Sequence, residues 1–132
     1  MVSSLLPLLR TRDHAAFREL LTEGVRFHSP VRDYEGREDA AHLFVTMSGI
    51  LEEVEPTREL EAGAERTTFI TGYARGRRFD GVIDEILDEE GKIDEVTLML
   101  RPLGVLREAV QAMATALEDS PLPSSVGART TN

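Results

Sequence analysis

The stretch Thr67-Thr68-Phe69-Ile70-Thr71-Gly72-Tyr73-Ala74-Arg75-Gly76-Arg77-Arg78-Phe79-Asp80-Gly81-Val82-Ile83-Asp84-Glu85-Ile86-Leu87 decides how this chain folds. Two runs rich in β-branched and apolar residues, 67–74 and 79–87, stand on either side of Arg75-Gly76, a turn signal. Two more runs of the same kind flank them, 57–62 and 93–100, set off by Gly63 and by Asp88-Glu89-Glu90-Gly91. Connections this short join only antiparallel neighbours, so the four runs predict an antiparallel meander.

Upstream the pattern changes. Leu5, Leu6, Leu8 and Leu9 make the first segment apolar, and Asp13 stands where a helix N-cap belongs, with Phe17, Leu20 and Leu21 on one face after it. Gly24 reads as the end of that helix, and 25–28 as a short strand stopped by Ser29-Pro30. After a loop through Tyr34 and Gly36, residues 37–53 predict a long helix. Its stripe is Ala40, Leu43, Phe44, Met47, Ile50 and Leu51, at the 3.6-residue period. Pro56 forces an extended exit. Downstream, Pro102 ends the last strand, and Leu103, Leu106, Val110, Met113 and Leu117 mark a closing helix. The order predicts an α+β fold: a cone-shaped barrel in which a curved antiparallel sheet wraps around N-terminal helices, with a C-terminal helix and a cleft on the concave face. One domain spans 1–118. Residues 119–132, with two prolines and several Ser, Thr and Gly, are expected to form a flexible tail.

Composition narrows the class. A length of 132 residues suits one domain; 41% hydrophobic and 30% charged residues place it among globular chains. With no cysteine, disulfides, thiol catalysis and Cys-based metal sites are excluded. The three histidines lack metal-ligand spacing, so no metal and no cofactor is expected. A net charge of −9, with the one basic cluster at Arg75, Arg77 and Arg78 in a turn, argues against nucleic acid. No apolar run approaches the roughly 20 residues of a membrane span, and the N-terminus lacks a basic flank for a secretory signal, so a cytoplasmic protein is expected.

Four short segments in this order resemble one family. Phe27-His28-Ser29-Pro30-Val31, Tyr34-Glu35-Gly36-Arg37-Glu38, Asp88-Glu89-Glu90-Gly91-Lys92-Ile93 and Met99-Leu100-Arg101-Pro102-Leu103 are similar to nuclear transport factor 2-like (SnoaL-like) proteins, over residues 3–118. The resemblance implies the cone fold of ketosteroid isomerases, limonene epoxide hydrolases and polyketide cyclases, with homodimers through the outer face of the sheet. It does not imply one chemistry. Where ketosteroid isomerases keep an aspartate base, a tyrosine and a protonated aspartate, this chain has Ser29, Leu5 and Ile83. Serine is no base near neutral pH and leucine offers no donor. The hydrolase triad falls on Gly81, Ile83 and Leu98. Polyketide cyclases need one carboxylate or histidine in an apolar cavity, a lower bar.

The polar candidates for such chemistry are His28, Asp84 and Glu85. Alternation sends one of Asp84 and Glu85 inward; the family register favours Glu85, and a single bulge would turn Asp84 in instead. An inward carboxylate in an apolar cone acts as an acid or base with a raised pKa. His28 ends the first strand, near the cavity mouth in this fold, where an imidazole accepts a proton near neutral pH. Ligand contacts are expected from Tyr34, Phe44, Met47, Phe69, Tyr73, Leu98 and Leu100, and from Arg101, which either clamps an acidic ligand or pairs with Asp84 or Glu85. Three functions compete: a binder or carrier of a small apolar molecule, an acid–base isomerase, cyclase or hydrolase acting on a hydrophobic ketone- or polyketide-like substrate, and a dimeric module whose pocket is filled by side chains.

Overall fold

Arg75 and Gly76 both take positive φ, 52° and 79°, in a computed structural model of the chain that describes residues 5–125. That conformation is the two-residue turn whose twist matches a right-handed hairpin. It joins β4 (Glu65–Ala74) to β5 (Arg77–Leu87) in unbroken register from Glu65 opposite Ile86 to Ala74 opposite Arg77. Gly63, at φ 59°, turns β3 (Leu51–Ala62) into β4. The Asp88 carboxylate accepts from the backbone N–H of Glu90 and Lys92, both at 2.9 Å, and so shapes the turn from β5 into β6 (Ile93–Arg101). The meander therefore stands as expected.

The remaining elements are a 3-10 turn (Pro7–Arg10), α1 (His14–Leu20), β1 (Leu21–His28), β2 (Asp33–Glu35), α2 (Arg37–Ser48) and α3 (Leu103–Asp119). The Asp13 carboxylate accepts from Ala16 N–H at 3.2 Å, the N-cap bond expected of it. Strand order is β2-β1-β6-β5-β4-β3. Among the described residues the one parallel pair is β1 with β6, made possible because α2 and the meander lie between them in the chain. The sheet is thus mixed rather than purely antiparallel, and it stays unclosed, with β2 and β3 as free edges. Bulges between Glu52 and Glu55 and between Pro56 and Arg58 bend β3 around the helices.

Three boundaries differ from the sequence reading. α1 ends at Leu20 rather than Gly24, and β1 begins at Leu21. α2 stops at Ser48, and 51–56, read as helix and exit, belong to β3. Tyr34, read as loop, forms with its neighbours the short strand β2 against β1. After α3 the chain returns to α2: Ser124 donates from backbone and hydroxyl to the Asp39 carboxylate, and His42 Nε2 bonds the Ser120 carbonyl at 2.7 Å. The other residues of the expected tail, 126–132, lie outside the described residues.

One face of the sheet is covered by the helices. Val25 and Phe27 of β1, Val96 and Leu98 of β6, Ile83 of β5 and Ile70 of β4 all point into it and are buried. Phe44 of α2 packs on Phe27 at 4.7 Å and on Phe17 of α1 at 5.8 Å between ring centres. Burying each phenyl ring stabilises the fold by about 1.5–3 kcal/mol. Among the described residues no element covers the opposite face. No helix among the described residues is long and apolar enough to cross a membrane.

Candidate functional site

Helix α3 does not pack flush on the sheet. Between it, α2, the β1–β2 hairpin and the end of β6 lies a cavity of about 210 Å³. Its floor is Phe27, Leu98 and Leu100, its wall Leu43 and Met47, and its roof Leu106, Val110, Met113 and Leu117. Those four α3 residues sit at helical spacing, so one apolar stripe closes the space. Ser29, Pro30 and Val31 of the hairpin form the lip, with Tyr34 beside them.

Polar groups are few. The Ser29 hydroxyl is spent within its own turn: it donates to the Arg32 carbonyl at 2.8 Å and accepts from Val31 N–H at 3.2 Å and Arg32 N–H at 3.1 Å. The Tyr34 ring stacks on Phe27, 6.0 Å between centres, and carries the Arg32 guanidinium at 4.8 Å. Its hydroxyl makes no hydrogen bond among the described residues. Among the described residues no carboxylate, histidine, lysine or arginine lines the cavity.

A second, much smaller void of about 10 Å³ lies deeper, bounded by Leu5, Leu9, Phe44, Ile70, Ile83 and Val96, and it shares Met47, Leu51 and Leu98 with the cavity. Leu5, Ile83 and Leu98, which the family resemblance aligned with catalytic groups, thus meet there as hydrocarbon. Gly81, another such position, lies close against β6: a Cβ would lie 2.5 Å from the Met99 carbonyl oxygen.

Of the expected ligand contacts, Tyr34, Met47, Leu98 and Leu100 come together in the cavity, and Phe44 lines the inner void. The others lie elsewhere. Phe69 and Tyr73 are on the open face of β4, because Ile70, Gly72 and Ala74 take the covered side; Phe69 lies under Arg58, whose guanidinium is 4.1 Å from the ring centre. Arg101 is exposed and reaches Asp80 at 3.4 Å, its cross-strand partner, and neither Asp84 nor Glu85.

The three acid–base candidates are scattered too. Phe27 points inward, so His28 points to the open face and away from the cavity. Both ring nitrogens donate to carboxylates: Nδ1 to Asp33 at 2.8 Å and Nε2 to Glu95 at 2.6 Å. Glu95 also accepts from Arg26 at 3.0 Å. The bond to Asp33 first, then that to Glu95, raises the His28 pKa above its ordinary value, which favours the imidazolium. Asp84 also faces outward and accepts from the Thr67 hydroxyl. Through its hydrogen bond and its charge, Asp84 pushes the neighbouring Glu65 carboxyl up. Glu85 faces inward, as the unbulged register requires, and is fully buried, where it accepts from Leu5 N–H at 3.1 Å. It lines neither the cavity nor the void. Among the described residues no group of three or more acidic or histidine side chains is arranged to hold a metal.

Solved structures share this architecture. A bacterial protein with a cystatin-like fold from Silicibacter pomeroyi superposes with a TM-score of 0.82, at 20% identity, over 88% of this chain and 84% of its own. The chain has the nuclear transport factor 2-like fold. A steroid delta-isomerase from Pseudomonas aeruginosa shares that fold at a TM-score of 0.79 and 22% identity, over 86% of this chain and 85% of its own. A nuclear transport factor 2-like protein from Cytophaga hutchinsonii shares it at 0.66 and 18%, over 77% and 88%. No protein-family model and no curated protein matches the sequence. Within this fold, α3 and the 29–31 lip supply much of the cavity, and neither was singled out from sequence. The α3 stripe was the available signal, since an apolar helix face at the chain's end needs something to cover.

Proposed function

We propose that this protein binds a small, uncharged apolar molecule in the cavity beneath α3. The observation that carries the reading is the lining itself: hydrocarbon over nearly all of it and, among the described residues, one uncommitted hydroxyl at the lip and no acid or base. A charged ligand would lose its hydration there without a partner in return. An apolar cavity of about 150 Å³ holds benzene, so the space here suits about eight to ten non-hydrogen atoms. By the same ratio a four-ring skeleton of about twenty carbons would need roughly 500 Å³, which argues against a steroid.

The alternative, an acid–base isomerase, cyclase or hydrolase on a hydrophobic ketone- or polyketide-like substrate, rests on Glu85 as the one inward carboxylate. It requires Leu5 to leave Glu85 and the cavity to extend to it. The binder reading needs no such rearrangement.

Native mass spectrometry and thermal denaturation with a panel of eight- to ten-carbon compounds test this reading. A bound molecule at a hundred times its Kd raises stability by about 2.7 kcal/mol. A panel in which no member raises Tm or co-purifies would overturn it.

A second copy of the chain is proposed as the cover of the open face. Phe69, Val82 and Met99 stand in register there as an apolar row across β4, β5 and β6, with Met99 61% exposed. Sedimentation should give a dimer at micromolar concentration, and Met99→Arg should weaken it more than tenfold if the row lies at the centre of the contact. A wild-type monomer would refute the arrangement.

A further inference from the structure

We infer that Tyr34 and Met47 divide the work of ligand selection: Tyr34 takes a single polar end at the lip, and Met47 stops the apolar end at the depth of the cavity. This rests on the binder reading above and names the ligand class for that site, a slim apolar molecule with one uncharged hydrogen-bonding end, such as a medium-chain alcohol or ketone.

Two observations carry it. The Tyr34 hydroxyl is the one side-chain polar group of the lining that has no hydrogen-bond partner among the described residues, since Ser29 is consumed by its turn. Every other lining group offers only contact, so a ligand's polar end has one side chain to seek. At the other end, Met47, Leu51 and Leu98 are common to the cavity and the inner void. Leu51 and Leu98 are branched residues on strands. Met47 is unbranched with three rotatable bonds, and is 8% exposed on α2, one helical turn beyond Phe44. It is therefore the part of the partition that can move. The ring stack from Tyr34 through Phe27 to Phe44 gives the direction, 6.0 Å and then 4.7 Å between centres, from the lip inward to the residue that borders the void. A ligand with its polar end at Tyr34 runs along Phe27 and meets Met47.

Straight-chain 1-alkanols and the matching n-alkanes, from six to twelve carbons, test both halves by displacement of a fluorescent apolar probe. Wild-type affinity should rise with length to a cut-off. Met47→Ala removes three non-hydrogen atoms and opens the void, so the cut-off should move up by about two to four carbons. Met47→Phe should move it down, which keeps the test open if the alanine variant folds poorly. Tyr34→Phe should weaken alkanols about threefold to tenfold and leave alkanes unchanged. An unmoved cut-off in both Met47 variants overturns the length role, and equal loss for alkanols and alkanes in Tyr34→Phe overturns the polar role, with the binder reading intact in each case. Failure of every chain to bind the wild type overturns the binder reading and this inference together.

Discussion

The two faces of the same sheet follow opposite rules. On the covered face Phe27, Ile70, Ile83 and Val96 are almost wholly buried, and the one carboxylate present, Glu85, is held by a backbone N–H. On the open face polar and charged residues pair across strands: Thr67 with Asp84, Arg101 with Asp80, His28 with Glu95. Neighbours in sequence, such as Phe27 and His28 or Asp84 and Glu85, fall on different faces. Their chemistry is decided by the period of two, and residue type alone misassigns them.

The largest expected break in that contrast comes from aromatic truncation. Phe27→Ala should cost about 3–5 kcal/mol in urea denaturation, and Phe69→Ala, beneath Arg58 on the open face, less than about 1.5 kcal/mol. Equal losses would mean the faces are not energetically distinct. A smaller separation is expected between adjacent carboxylates. Glu85→Ala removes the carboxylate that accepts from the buried Leu5 N–H and should cost about 1–3 kcal/mol, whereas Asp84→Asn should stay within about 0.5 kcal/mol. A reversed order would place Asp84 inside. The smallest effect is the pH response of His28. Its folded pKa is raised by Asp33 and Glu95, so the protonated ring stabilises the fold. That contribution is complete below the unfolded value of about 6.5 and disappears as pH rises through the folded value. His28→Gln should therefore flatten stability against pH from about 6.5 upward, and a slope unchanged in the variant would assign the response to another group.

Much of the fold was legible because turn chemistry is local. Arg75-Gly76 and Gly63 announced their turns, and β4 and β5 followed within two residues of their observed ends. The errors arose where helix and strand patterns overlap. Ile50 and Leu51 continue the α2 stripe, yet the helix ends at Ser48 and the chain turns through Gly49 into β3. Leu20 and Leu21 look alike in sequence, although one closes α1 and the other opens β1. In the site, Met47, Leu98 and Leu100 were readable as apolar positions of a helix stripe and a strand, and Tyr34 only as a loop residue. Phe69, Tyr73 and Arg101 were not, because their face depends on β4 and β6 registers that no single strand reveals. The placement of His28 was legible in principle, since an inward Phe27 dictates an outward neighbour.

Strand β3, the long free edge, has a consequence for the protein's company. Glu52, Glu53, Glu55, Glu59 and Glu61 crowd it, Pro56 removes a backbone donor, and two bulges disturb its line. A foreign strand meets like charge, a missing N–H and a bent ladder, so growth by strand addition is disfavoured there. The other edge, β2, is three residues long and offers little to pair with. With both borders so defended, edge-to-edge growth of one sheet onto another is disfavoured on either side.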